Sequence, residues 1–249
     1  MSGHSKWSTI KRQKGKLDAE RGKIFTRLTK EIAVAAREGG GNPDGNARLR
    51  TAIAAAKAAN MPSDNVKRSI QKGTGELPGV TYESITYEGY GPAGVALFLQ
   101  VMTDNKNRIV AEIRHLLTKW GGNLGANGCV AWMFHKKGVI TIELNATTEA
   151  VLMDVALDAG AEDISSDTGS FEVVTPPDAL EDVRLAIEKK GIKIVSAEIT
   201  MHPSNMVKLT TEKDANAMLR LYEALEEMDD VQTVYANFEI EQSLLEKVA

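Results

Sequence analysis

The stretch GVITIELNATTEAVLMDVALDAGAEDISSDTGSFEVVTPPDALEDVRLAIEKKGIKIVSAEIT, residues 138–200, switches repeatedly between two hydrophobic periods. Residues 139–144, 161–167, 170–175 and 192–200 are rich in β-branched side chains and read as strands, whereas the segments that run up to 159 and up to 190 have helical spacing. Thr168-Gly169 turns the chain between the middle two strands. The order is βαββαβ, that of a ferredoxin-like unit. Its second helix is expected to open on Thr175-Pro176-Pro177-Asp178, which has capping-box spacing with proline at the first helical position. Val183 and Ile187 then face the sheet, and Gly191 follows the helix end.

Working outward, residues 82–88 and 95–103 read as strands joined through Gly89-Tyr90-Gly91-Pro92-Ala93-Gly94. Thr103-Asp104-Asn105 caps a helix with Ile109, Ile113, Leu116, Leu117 and Trp120 on its buried side, closed by Gly121-Gly122. Residues 129–135 read as another strand, and Lys136-Lys137-Gly138 is expected to turn the chain. One helix is too few to cover this sheet. The missing cover comes after His202-Pro203: a short strand at 206–209, a helix opened by Thr211 with Met218, Leu219, Tyr222 and Leu225 buried, and a strand at 231–240. The expected domains are 1–79, a discontinuous domain of 80–137 plus 203–249, and the inserted unit 138–202. The fold class is α+β: an N-terminal three-helix bundle with a basic arm, then two ferredoxin-like α/β sandwich domains, one inserted in the other.

The bundle is read from three short patterns. Ile24, Leu28, Ile32 and Ala35, with Phe25 and Ala36 beside them, form one helix face ended by Gly39-Gly40-Gly41. Leu49, Ile53, Ala56 and Ala59 form a second, between Asn42-Pro43-Asp44-Gly45-Asn46 and Asn60-Met61-Pro62, and Val66 and Ile70 a third before Gly73.

Charge divides the chain more sharply than composition does. The first 80 residues carry sixteen Lys and Arg against seven Asp and Glu, a formal +9, so that the remainder carries −13 within a whole-chain charge of −4. A basic end on an acidic protein points to a polyanion partner for that end, bound with release of counterions. The candidate nucleic-acid contacts are Lys6, Trp7, Lys11, Arg12, Lys14, Lys16, Arg21, Lys23 and Arg27, from the arm into the first helix, and Arg48, Arg50, Lys57, Lys67, Arg68 and Lys72 on the second and third. Few acids stand near those last six in sequence. Trp7 either stacks on a base or pins the arm to the bundle.

Other chemistry finds little support. Gly89 to Gly94 spells GxGxxG, but a strand follows where a dinucleotide site needs a helix N-terminus. His4, His115, His135 and His202 lack metal-ligand spacing, and Cys129 is the single cysteine, which fits a reducing compartment. Asp154, Asp158, Glu162, Asp163, Glu223, Glu226, Glu227, Asp229 and Asp230 read as solvated helix faces and ends. The 103–108 junction reads as a cap or an anion site at a helix N-terminus. No apolar run is long enough to span a membrane, and the polar start lacks a signal peptide's apolar region. No catalytic residue, metal or cofactor is expected, and the location expected is the cytoplasm.

Several long motifs are shared with a known family. Gly3-His4-Ser5-Lys6-Trp7, Arg21-Gly22-Lys23-Ile24-Phe25, Leu49-Arg50-Thr51-Ala52-Ile53, Asn60-Met61-Pro62-Ser63-Asp64-Asn65, Tyr87-Glu88-Gly89-Tyr90-Gly91-Pro92, Thr103-Asp104-Asn105-Lys106-Asn107-Arg108 and Gly121-Gly122-Asn123-Leu124-Gly125 resemble the YebC family over nearly the whole chain. Cys129 and His202 depart from the family pattern, where a serine and an aliphatic residue are common. The resemblance implies a three-domain cytoplasmic protein without a catalytic residue set, of a family of probable transcriptional regulators that bind DNA. Its mitochondrial relatives are translational activators, and some bacterial members act on translating ribosomes.

The reading is a non-enzymatic regulator of gene expression that binds nucleic acid. Its partner is promoter DNA or ribosomal and transfer RNA, with no membrane and with the acidic domains open to a protein partner. A hydrolase or transferase using the carboxylates, and a module docking an acidic protein, are the competing classes.

Overall fold

The computed structural model describes residues 17–166, 169–241 and 244–245, with the backbone alone for 17–21. Helices α1 (Leu17–Gly39), α2 (Ala47–Ala58) and α3 (Ser63–Thr74) pack around Ile32, Ala35, Ala36, Leu49, Ala52, Ala56, Met61 and Val66. The small side chains let the helices approach closely: a Cβ added to Gly73 would stand 2.3 Å from the Ala33 carbonyl oxygen on α1. Asn46 is buried and joins two helix ends. Its Oδ1 accepts from the Leu49 amide at 3.0 Å, capping α2, while its Nδ2 donates to the Ala35 carbonyl at 2.7 Å and the Gly40 carbonyl at 2.9 Å. Ile24, expected in the core stripe, is instead 44% exposed. Helix α3 runs one residue past Gly73 and is followed by Gly75 at φ 83°, a left-handed position that favours glycine.

Strands β1 (Glu83–Tyr90) and β2 (Ala96–Thr103) form the expected hairpin, joined through the single turn Pro92–Gly94. Helix α4 (Lys106–Lys119) and the two-residue β3 (Asn123–Leu124) follow, then β4 (Phe134–Glu143), α5 (Glu149–Asp158), β5 (Asp163–Ser166), β6 (Ser170–Thr175), α6 (Leu180–Lys189) and β7 (Ile194–Pro203). The chain ends with β8 (Val207–Leu209), α7 (Glu212–Glu227), β9 (Val231–Ala236), β10 (Phe238–Ile240) and a helical turn at residues 244–245.

These strands make two four-stranded antiparallel sheets. One has the order β5-β6-β4-β7, which is the ferredoxin-like arrangement for βαββαβ, with Ile140, Ile142, Phe171 and Val173 packed against Leu152, Ala156, Val183 and Ile187 of α5 and α6. The other has the order β3-β1-β2-β9, so β9, from the chain's final segment, lies against β2. Leu97, Leu99, Val101, Val234 and Ala236 form one face of that sheet, covered by Ile109, Ile113 and Leu117 of α4 and Met218, Tyr222 and Leu225 of α7. Strand β10 pairs in parallel with β8.

Several local expectations are corrected. Lys136-Lys137-Gly138 does not turn: β4 runs through it, paired with β7 from Phe134 to Ile142, and the consecutive polar residues His135, Lys136 and Lys137 are accommodated because this end of the strand is exposed to half-buried on both faces. The expected boundaries at 137/138 and 202/203 therefore lie inside β4 and β7, a ribbon common to both sheet-bearing parts. Residues 129–133 form no strand, and Ala131–Met133 is a short 3-10 turn. Residues 231–240 are two strands, broken at Asn237, whose Oδ1 accepts from the Ala96 amide at 2.7 Å. Thr175 does not cap α6, which starts at Leu180; its hydroxyl donates to the Pro176 carbonyl instead.

Candidate nucleic-acid interface

The basic residues of the bundle fall into three groups. Lys6, Trp7, Lys11, Arg12, Lys14 and Lys16 lie outside the described residues, as does the side chain of Arg21, whose backbone belongs to α1.

The second group faces the rest of the protein. The Arg27 guanidinium donates to the Glu226 carbonyl at the end of α7, and Lys23 stands 3.9 Å from the Glu227 carboxylate. One turn further, Lys30 Nζ donates to the Asp229 carbonyl at 2.8 Å and to the Asp230 carboxylate at 2.6 Å, and lies 5.3 Å from the Tyr82 ring centroid. Asp230 also accepts from Arg108 at 2.6 Å and from the Thr103 hydroxyl at 2.9 Å. Burial would raise the Asp230 pKa, but the bonds from Lys30, Arg108 and Thr103 prevail and hold it below the usual aspartate range. A helix C-terminus and four nearby acids thus neutralise the inner face of α1. Thr26, Lys30, Tyr82, Asp104, Arg108 and Asp230 are among the groups lining an open cleft of about 440 Å³ along this seam.

The same contacts decide the 103–108 junction. Asn105 Oδ1 caps α4 by accepting from the Arg108 amide at 3.0 Å, Arg108 is bonded to Asp104 and Asp230, and Lys106 pairs with Glu83 at 2.6 Å. Protein groups take the positions an anion would need.

The third group is on α2 and α3. Arg48, expected to have few acids near it, is exposed but paired: it bonds Glu31 through two nitrogens and Glu38 through a third, and the bond to Glu31 holds its guanidinium pKa above the ordinary value. Arg50 donates to the Pro43 and Asp44 carbonyls and, among the described residues, has no ion-pair partner. Lys57, Lys67, Arg68 and Lys72 are exposed, and among the described residues none has an ion-pair partner. On α3, Arg68 and Lys72 are one turn apart, so the two exposed cations share one side of the helix.

Sequence reasoning passed over two features. Glu88 is 5% exposed, and its carboxylate accepts amides from Gly128 at 2.6 Å and from Val130 and Ala131 at 2.8 Å. Burial would raise its pKa, yet these three donors hold it below the usual range. The loop so held presents Trp132 at 65% exposure. Both residues sit in apolar-looking sequence without a spacing that marks them.

Among the described residues, no group of three His, Cys, Asp or Glu side chains is gathered as a metal site, and no helix is long and apolar enough to cross a membrane.

Comparison with known proteins places this arrangement. The TACO1/YebC protein N-terminal domain matches residues 5–76, and the TACO1/YebC second and third domain matches residues 82–238. Probable transcriptional regulatory proteins of Desulfotalea psychrophila and Syntrophus aciditrophicus are 58% and 56% identical, each aligned over all of both chains. The crystal structure of a conserved hypothetical protein from Aquifex aeolicus is 48% identical and superposes with a TM-score of 0.75, covering 91% of this chain and 93% of that one. The chain belongs to the TACO1/YebC family.

Proposed function

We propose that this protein is a non-enzymatic, cytoplasmic regulator of gene expression that binds nucleic acid through the outer face of its N-terminal helices, with promoter DNA as the leading target. The observation that carries the reading is the set of exposed cations Lys57, Lys67, Arg68 and Lys72, with Arg50, without ion-pair partners among the described residues, on a domain whose other described cations are largely met by protein acids and carbonyls. Such a face supplies phosphate contacts, which give affinity without reading sequence. The names of its relatives, probable transcriptional regulatory proteins, support transcription as the process. The arm with Lys6, Lys11, Arg12, Lys14 and Lys16 extends the same charge, and the acidic domains, divided in this reading into 80–137 with 203–249 and 138–202 and joined through the β4–β7 ribbon, offer a surface for a protein partner.

Ribosomal or transfer RNA is the alternative polyanion, because phosphate contacts serve both. Crosslinking and sequencing of bound nucleic acid in cells, comparing the intact protein with K67A/R68A/K72A, tests the reading. Discrete promoter DNA lost in the variant is the expected result. Ribosomal or transfer RNA lost in the variant moves the assignment to translation, and an unchanged crosslink pattern overturns the role of the helical face.

A further inference from the structure

We infer that Trp132 is a stacking platform for an unpaired nucleobase, a second nucleic-acid contact on a different part of the chain from the basic helices. The inference rests on the nucleic-acid reading above and adds a feature of the bound nucleic acid: a stretch with unstacked bases, as in RNA or locally melted DNA.

The ring is held out, not left out. Of the large apolar side chains described as exposed, Trp132 is the most exposed, at 65%. Its position is nevertheless fixed from every side. Before it, the Glu88 carboxylate binds the amides of Gly128, Val130 and Ala131. After it, Met133 and Phe134 are buried against Ala96 and Phe98, with the Phe98 and Phe134 rings stacked at 5.9 Å. The Met133 carbonyl accepts from both the amide and the hydroxyl of Ser204, at 2.8 and 3.0 Å. The indole Nε1 donates to the Cys129 carbonyl at 3.2 Å, which also accepts from the Tyr90 hydroxyl at 3.2 Å. With its one polar atom satisfied inside the protein, the indole offers a partner only its π surface.

The surroundings choose between partners. A protein-docking surface would continue the apolar area, but the buried neighbours Val130, Met133 and Phe134 point their bulk inward. The exposed positions nearest in the chain are Ala126, Asn127 and Gly128 before the ring, and His135 and Lys136 after it, so the chain on either side adds no second large apolar side chain to the surface. A lone large aromatic ring whose exposed neighbours in the chain are small, hydrogen-bonding or cationic is suited to stacking bases of a single strand. A base paired within a duplex has both faces covered and is not available to it.

The test uses the full chain and two probes, a fluorescein-labelled single-stranded oligonucleotide of mixed sequence and the blunt duplex of the same sequence, with binding followed by anisotropy at several salt concentrations. W132A is expected to bind the single strand roughly 5- to 100-fold more weakly, with its melting temperature, its duplex affinity and the salt dependence of binding unchanged. W132F is expected to restore most of the loss. Wild-type single-strand affinity in W132A overturns the inference, as does an equal loss on strand and duplex. Should W132A keep its nucleic-acid affinity and lose a protein partner instead, the ring is a protein-docking residue and the inference also fails. Failure of the helical face is read separately, from K67A/R68A/K72A showing the wild-type salt dependence on duplex.

Discussion

Lys30 on α1 and Asp230, two hundred residues later, form a buried ion pair at 2.6 Å, with side chains 7% and 10% exposed. It joins the N-terminal bundle to the segment that leads into β9. Removing one partner of such a pair leaves a charge without its counter-ion, which costs about 3–5 kcal/mol. D230N leaves Lys30 with one carbonyl and is expected at the upper end of that range. K30M leaves Asp230 its bonds to Arg108 and Thr103 and is expected at or below the lower end. Denaturant unfolding of both single variants and the double variant gives the coupling between them; additivity would show that the two side chains do not act as a pair.

Acid should unfold this protein through identifiable carboxylates. Asp230 and Glu88 both have pKa values held below the ordinary range in the folded state. Each therefore contributes stability that is complete above the unfolded-state values of about 4 and is lost as pH falls through the lower folded-state values. E88Q removes one such contribution and places an amide group among three amide donors, so it should lower stability near neutral pH by about 2–4 kcal/mol. It should also flatten the dependence of stability on pH below about 4. Thermal unfolding from pH 7 down to pH 3 measures both, and an acid limb as steep as that of the wild type would remove Glu88 from the account.

The helix crossing of α1 with α3 depends on Gly73. Alanine there would place a methyl group 2.3 Å from the Ala33 carbonyl oxygen and 2.9 Å from the Ala36 Cβ, so the helices must separate. Overpacking of this kind costs about 1–3 kcal/mol. Gly22, also helical, has nothing within 4 Å of the same added atom. G22A is expected to stabilise the protein by up to about 1 kcal/mol, the difference in helix propensity. Opposite signs for these two substitutions in thermal unfolding are the check.

What the sequence made legible is what local periodicity controls. The βαββαβ unit, the β1–β2 hairpin and α4 with its Asn105 cap each rest on residues close together in the chain. The return of β9 to the first sheet followed from a shortage of helical cover, a rule about layers rather than about spacing. The Lys136-Lys137-Gly138 error has the same root as these successes. A polar pair before glycine signals a turn locally, and only the pairing with residues 199–201 makes it a strand. The functional surface was less legible because charge says nothing of partners distant in sequence. Lys30 with Asp230, Arg27 with Glu226 and Glu88 with residues 128–131 are all contacts of forty residues or more. Arg48 and Arg68 look alike in the chain, yet two carboxylates claim one of them.

That difference gives the sharpest test of the proposed interface. Each phosphate contact contributes about 0.9 to the salt slope of log affinity on duplex DNA and about 0.7 on single strands. If Lys67, Arg68 and Lys72 all touch phosphate, replacing them with alanine should flatten the slope by about 2.7 on duplex and about 2 on single strands. All three are exposed, so stability should change by no more than about 0.5 kcal/mol. Arg48 is already paired with Glu31 and Glu38. R48A should leave the slope as it is and lower stability by about 1 kcal/mol at most, as expected for a partly exposed ion pair. A slope flattened by R48A as much as by any one of the other three would mean that Glu31 and Glu38 yield Arg48 to phosphate on binding, and the interface would then extend across α2 toward α1.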